Sequence, residues 1–334
     1  MVRLLAGITL ATFAVFGQAA PQSQNFALSD TKDLVEKGVK AEAAEYLGRK
    51  AVRLTKDAFG DAFAIVKGVD FQDGTIEVDM AVKVTTPPGT RNPGFAGIAF
   101  RTRADSSHYE LFYLRPGNSG AGDQAMRNHA VQYSEAPDFS WYKLRREWPW
   151  IYESYAGLQL ETWTKVKIDV SGRSAKLYVN GSANPSLIVD GLKGEDLRGG
   201  IALWGSPGEE TYFSNLRITN AAAAPTKNGA DVAGTWKVRF GSDAGVLDGV
   251  LKVTRDGGKL TGTWSGALGD DRAVMGTWRD GYVEMSFGGN WSKEMGLGAP
   301  GDVTATLAGW IDGDSAKGRM KVEGRADGPW TATR

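Results

Sequence analysis

The chain has 334 residues, with 39 Lys+Arg, 39 Asp+Glu, two His and no Cys. A net charge of zero argues against a general nucleic-acid binder, which carries a basic excess. The absence of Cys excludes disulfides, thiolate metal sites and thiol nucleophiles. Two His leave almost no room for a multi-His metal site, and the length predicts two domains.

At the N-terminus, Arg3 precedes an uncharged, mostly apolar run from Leu4 to Phe16, followed by the small residues Gly17-Gln18-Ala19-Ala20. This is the pattern of a secretory signal peptide over residues 1–20. The run falls short of the ~20 apolar residues that span a bilayer, and no later segment approaches that length. The mature protein is therefore expected in the periplasm or outside the cell, without a membrane span.

Strand patterns then follow one another from residue 26 to 219. Val52 and Leu54 alternate with Arg53 and Thr55. In Gly74 to Val84, Ile76, Val78, Met80 and Val82 share one face while Glu77, Asp79, Ala81 and Lys83 share the other, the period of a half-buried strand. Ala96 to Arg103 repeats the scheme with Ile98 and Phe100. Further strands are read at His108 to Arg115, Thr162 to Val170, Ser174 to Asn180, Gly200 to Gly205 and Thr211 to Ile218. Asn180-Gly181 marks a hairpin turn, because both residues tolerate positive φ. Leu28 to Leu47 breaks the pattern. Its Ala, Glu and Lys content suits a helix, and a short helical turn is expected near Thr31 to Glu36.

Residues 220–230, an Ala run followed by Pro225 and Gly229, read as a linker. Beyond it come eight short strands with Gly turns: Gly234–Val238, Leu251–Val253, Lys259–Trp264, Val274–Trp278, Val283–Phe287, Val303–Gly309, Lys317–Val322 and Trp330–Thr333. Eight strands in about 100 residues can close into a small up-and-down barrel. Trp236 in the first and Trp330 in the last are expected to be neighbours at the closure. Each unit has its own alternating strands, so two fragments cut near Thr226 are expected to fold alone.

Several stretches carry a resemblance: Asp73-Gly74-Thr75-Ile76-Glu77-Val78-Asp79, Gly97-Ile98-Ala99-Phe100-Arg101, Tyr109 to Pro116, Trp163 to Ile168, Ala175 to Asn180 and Tyr212 to Leu216. Together they resemble the concanavalin A-like lectin/glucanase superfamily, nearest its laminin-G-like and 3-keto-disaccharide hydrolase domains, over residues 26–219. Residues 231–334, with Gly-Thr-Trp openings at 234, 262 and 276, resemble a lipocalin-like accessory domain. The resemblance implies an all-β protein: an antiparallel jelly-roll β-sandwich, whose concave face often binds carbohydrate, followed by a small up-and-down β-barrel. It also makes a calcium ion conceivable, although no acidic cluster has the spacing of a ligand loop.

The chemistry is less sharply written. Glucanases of that superfamily use Glu-x-Asp-x-x-Glu on one strand. Here Glu77-Val78-Asp79 is followed by Val82 where the acid/base carboxylate would stand, and a strand face paired with Arg or Lys is the expected role. Gly296 to Gly301 matches G-x-G-x-x-G, but no βαβ unit surrounds it and it reads as a barrel loop. The richest segment is Arg127 to Tyr155, with Arg127, His129, Gln132, Tyr133, Trp141, Tyr142, Arg145, Arg146, Trp148, Trp150, Tyr152, Glu153 and Tyr155. Flat rings suit the apolar face of a sugar, and planar polar groups suit its hydroxyls. So many aromatics either fold over the sheet as a small core or wall a pocket, and both can hold at once.

Arg101, Arg103, Arg127, Gln132, Tyr133, Trp141, Tyr142 and Arg145 are thus the candidate ligand-binding residues. A lone His is more often structural than catalytic, which applies to His108 and His129. If Phe112 and Leu114 face the core, Glu110 is a half-buried carboxylate needing a partner such as Arg101. If Leu111 and Tyr113 do, it borders the groove. The first expectation is an exported protein that binds a saccharide or glycoside on the jelly roll, with no nucleic-acid partner. The second is glycoside cleavage of the 3-keto-disaccharide hydrolase type, for which His129, Glu110 and Glu153 are the catalytic candidates. The third is an envelope scaffold or adhesion module.

Overall fold

A computed structural model describes residues 22–334 apart from 58, 59, 61, 222–230, 280 and 297. The signal peptide at 1–20 and nearly all of the linker lie outside the described residues. Among those described, no helix is long and apolar enough to cross a membrane.

The first unit is a sandwich of two antiparallel sheets. The eight-stranded sheet is centred on Gly74–Val84, which pairs with Thr164–Ser171 on one side and Glu209–Asn220 on the other. The seven-stranded sheet runs Glu153–Ser154, Val131–Ala136, Tyr109–Leu114, Ala96–Thr102, Gly200–Gly205, Phe63–Val66 and Leu34–Lys37. Period-2 alternation builds the core between them. Ile76, Val78, Met80 and Val82 come from the first sheet; Ile98, Phe100, Phe112, Leu114, Val131 and Tyr133 come from the second.

The strands expected at Gly74 to Val84 and Gly200 to Gly205 appear with those bounds. Asn180 and Gly181 have φ of 52° and 72°, as the hairpin requires. The helical turn expected near Thr31 to Glu36 does not form. Leu34–Lys37 and Lys40–Tyr46 are edge strands instead. Pairing overrides the helix propensity of Ala and Glu. Glu42 lies opposite Arg53 and ion-pairs with it at 2.7 Å, and Ala44 packs against the cluster formed by Ala51, Ala81 and Tyr212.

The second unit is a closed eight-stranded barrel, from Gly234–Ser242 to Ala326–Thr333. All eight expected strands form, each extended by a few residues. The first strand pairs with the last, and Trp330 stands opposite Phe240, two positions beyond Val238 and four beyond Trp236. Trp236, Trp264, Trp291 and Trp330 are buried inside and fill the lumen.

The two units share a buried contact beyond the linker. Tyr282, Ala308 and Trp310 of the barrel belong to the sandwich core cluster. The Trp310 indole donates to the Leu192 carbonyl, and the Arg173 guanidinium lies 3.1 Å from the centre of its ring. Arg279 pairs with Asp138 and, at 2.9 Å, with Glu195. Alternation explains why sequence could not separate these residues from ordinary barrel surface: Tyr282 and Trp310 point outward from the barrel, as Glu284 and Thr306 do.

Candidate functional site

Alternation gives the seven-stranded sheet a second face, turned away from the core. Leu111, Tyr113, Ala99 and Ala202 lie on it, flanked by Phe95, Tyr109 and Trp204. The Tyr113 and Trp204 rings stand 5.3 Å apart. Gln132 pairs with Tyr113 on one side and Glu153 on the other, so both polar residues share this face.

Glu153 is the centre of the site. Its carboxylate is almost fully buried and collects three cationic or basic groups. Arg145 grips it with Nε at 2.9 Å from Oε1 and Nη2 at 2.6 Å from Oε2. Arg115 Nη2 donates to the same Oε2 at 3.3 Å and to Gln132 Oε1 at 2.9 Å. His129 Nδ1 lies 2.8 Å from that oxygen. Burial depresses the Arg115 guanidinium below its usual range. Burial also lowers the His129 imidazole, against the pull of Glu153.

Aromatic rings surround this cluster. Trp150 stacks on the His129 ring, 5.9 Å apart and within 4° of parallel, and its own side chain is 58% exposed. Trp141 and Tyr142 are 45% and 58% exposed, and Tyr155 is 44% exposed. Arg145 lies 4.9 Å from the Trp141 ring centre and Arg127 lies 5.3 Å from that of Tyr155.

Local sequence explains the placement. Asp123 accepts from Met126 N at 2.9 Å and caps the Gln124–Arg127 turn that delivers Arg127 and His129. Ser140 caps the Trp141–Glu147 helix, whose one buried residue, Leu144, anchors it to the core. Trp148 and Tyr152 follow Leu144 inward. The segment divides in two: Leu144, Trp148 and Tyr152 extend the core, while Trp141, Tyr142, Trp150 and Tyr155 face solvent.

The structure brings together Arg127, His129, Gln132, Trp141, Tyr142, Arg145 and Glu153. It separates four other candidates from them. Arg101 is buried at the opposite end of its strand, donating to Gln72 O, Gly172 O and Asp73 Oδ1. Arg103 sits at the same hairpin end, paired with Asp196 at 2.6 Å and beside His108. Tyr133 faces the core, where its hydroxyl donates to Glu110 and accepts from Lys193 N at 2.7 Å.

Glu110 has the parity of Phe112 and Leu114, so it is a core carboxylate; its direct partners are Tyr133 and Gly194 N, not Arg101. Burial pushes it up from the usual carboxylate range. A Cβ at Gly194 would lie 2.7 Å from Glu110 Oε1, so only Gly lets the backbone approach this closely. Glu77 lies opposite Lys167 and Arg217, and Asp79 pairs with Arg49 at 3.0 Å, the charged strand face that was expected. Sequence reasoning missed Arg115 as a site member. It ends the strand of Tyr113 with outward parity, but only the register across to Gln132 and Glu153 reveals its role. Among the described residues, no three His, Cys, Asp or Glu gather as a metal site.

No protein-family model matches the chain, and no curated protein sequence does. Among solved structures, the chain is similar to carbohydrate-binding module CBM66 from Bacillus subtilis, with 16% identity and a TM-score of 0.37 over 55% of this chain and 96% of that one. It is also similar to a B. subtilis protein of unknown function with a galectin-like fold, at 12% identity and TM-score 0.41 over 62% and 99%. A Bacillus licheniformis β-glucanase shows 12% identity and TM-score 0.32 over 60% and 98%.

Proposed function

We propose that this is an exported carbohydrate-binding protein that holds a saccharide or glycoside on the jelly-roll unit, over the surface formed by Trp150, Trp141 and Tyr155 around Glu153. The observation that carries this reading is the juxtaposition of exposed rings with a fixed set of planar donors. Trp150 lies flat on His129, and Arg145 is locked bidentate on Glu153. Rigid aromatic planes cover the apolar face of a sugar ring at low entropic cost, and held guanidinium and imidazole groups meet its hydroxyls.

Catalysis is the weaker reading. His129 beside Glu153 is an imidazole next to a carboxylate, the one feature that favours it. However, Arg145, Arg115 and His129 converge on Glu153 Oε2, Arg145 Nε also holds Oε1, and the side chain is almost fully buried, which leaves a glycosidic oxygen little access to it. Glu110 is sealed in the core. The two carboxylates that a glycosidase needs are not offered together.

A glycan array on the intact protein, followed by calorimetry with Trp150→Ala, tests the proposal. At least one saccharide should bind, with about tenfold weaker affinity in the variant. Incubation with 3-keto-glycosides and β-glucans should release no sugar; turnover that disappears in His129→Ala would establish the enzymatic reading instead. A protein partner in a pull-down with no sugar affinity would favour a scaffold.

A further inference from the structure

A concavity lies where the two units meet. It measures about 360 Å³, and one wall is the C-terminal end of the Trp141–Glu147 helix with Trp148. That volume falls at the lower end of small-ligand sites, roughly 300–1,000 Å³. The facing wall is the outside of the barrel. Along Gly301–Asp312, Val303, Ala305 and Leu307 fill the barrel, so Thr304, Thr306 and Ala308 point out into the cleft. Strand register places Thr306 directly opposite Lys321, and Ala308 opposite Glu284.

These groups do not select an ion. Arg146 is paired with its neighbour Glu147 at 2.7 Å. Glu284 and Glu323 share the facing wall with Lys321, so that wall carries both signs. What remains is a mixed row of carboxylates, an ammonium and two hydroxyls, opposite Trp148, which is itself only 5% exposed. That set matches a hydroxyl-rich ligand that can both donate and accept hydrogen bonds.

We infer that the cleft is a second saccharide subsite, taking further sugar units of the same oligosaccharide that the outer-face surface holds; this rests on the proposed saccharide binding. One helix links the two places. Trp141 borders the first surface and Trp148 the second. Seven positions at 1.5 Å per residue set them roughly 10 Å apart along the axis, a distance that a chain of a few sugar units covers. The barrel then belongs to the binding site, and ligand seated on both walls ties the two units together.

Calorimetry on the full chain tests this with the disaccharide and hexasaccharide of laminarin, cellulose and levan. The bound hexasaccharide should exceed its disaccharide in affinity by at least tenfold. Thr306→Trp, which fills the cleft from an outward-facing position, should remove that advantage and leave the disaccharide unchanged, whereas Trp150→Ala should weaken both. Should Thr306→Trp fail to fold, the surface pair Glu284→Gln with Lys321→Ala reads the same effect. A folded cleft variant that binds the hexasaccharide as tightly as the unaltered protein overturns the subsite while leaving the outer-face site standing. No binding of any panel sugar by the unaltered protein overturns the outer-face reading, and the subsite with it.

Discussion

Glu153 and Glu110 sit in the same seven-stranded sheet, two strands apart, and both carboxylates are buried. Glu153 lies on the outer face and is held by Arg145, Arg115 and His129 under exposed rings. Glu110 lies on the core face and is held by a tyrosine hydroxyl and a backbone N–H, with no side-chain cation in direct contact among the described residues. The difference is one of strand parity. The outer-face carboxylate organises Arg145, which reaches solvent, together with the buried Arg115 and His129, whereas the inner one fastens the loop carrying Lys193 and Gly194 to the sheet.

The sharpest way to break this comparison is Glu153→Ala. It leaves buried Arg115 without its counter-charge, and removing one partner of a buried pair costs about 3–5 kcal/mol. We expect that loss in chemical denaturation, together with loss of saccharide binding. Lys193 should give the next largest effect. Its ammonium is buried within 4.7–5.7 Å of the rings of Tyr282, Phe139, Trp148 and Tyr152, and it donates to Tyr282 OH at 2.5 Å. Burial lowers it from 10.5 to about 7.

Between those two values the unfolded chain holds a proton that the folded chain has released, so this group makes stability rise with pH from about 7 to 10.5. Below 7 both states are protonated and its contribution is flat. Lys193→Met should remove the rise and stabilise the protein at pH 7 by about 2–3 kcal/mol; an unchanged pH profile would contradict the burial of a free ammonium there. Glu135, raised to about 8 by burial, acts with the opposite sign and lowers stability as pH rises from 4.5 to 8.

Glu110→Ala should cost about 1–3 kcal/mol, because Tyr133 OH and Gly194 N lose their acceptor. Saccharide affinity of the folded fraction should not change, which separates it from Glu153→Ala. The smallest stability effect should come from Trp150→Ala. An exposed ring contributes within about 0.5 kcal/mol to folding, so the melting temperature should hold while binding weakens.

Most of the architecture was legible from period-2 patterns and turn residues: the sandwich core, the Asn180-Gly181 hairpin and all eight barrel strands. Lys40–Tyr46 was not, because Ala and Glu have no strand preference of their own and the strand exists through pairing with Arg49–Thr55. Composition alone exposed the aromatic segment that carries Trp141, Trp150 and Glu153. The separation of Tyr133 from Gln132, or of Arg101 from Arg115, requires register and parity across several strands. Lys193 carried no local signal at all, since its cage is assembled from Phe139, Trp148, Tyr152 and, across the unit boundary, Tyr282.

The most direct test of the central claim is a crystal of the intact protein soaked with the tightest-binding oligosaccharide from the array. We predict a sugar ring stacked on Trp150 or Trp141, with its hydroxyls within hydrogen-bonding distance of Arg145 or His129. Sugar bound on the eight-stranded sheet or inside the barrel, with the Trp150 surface bare, would contradict it.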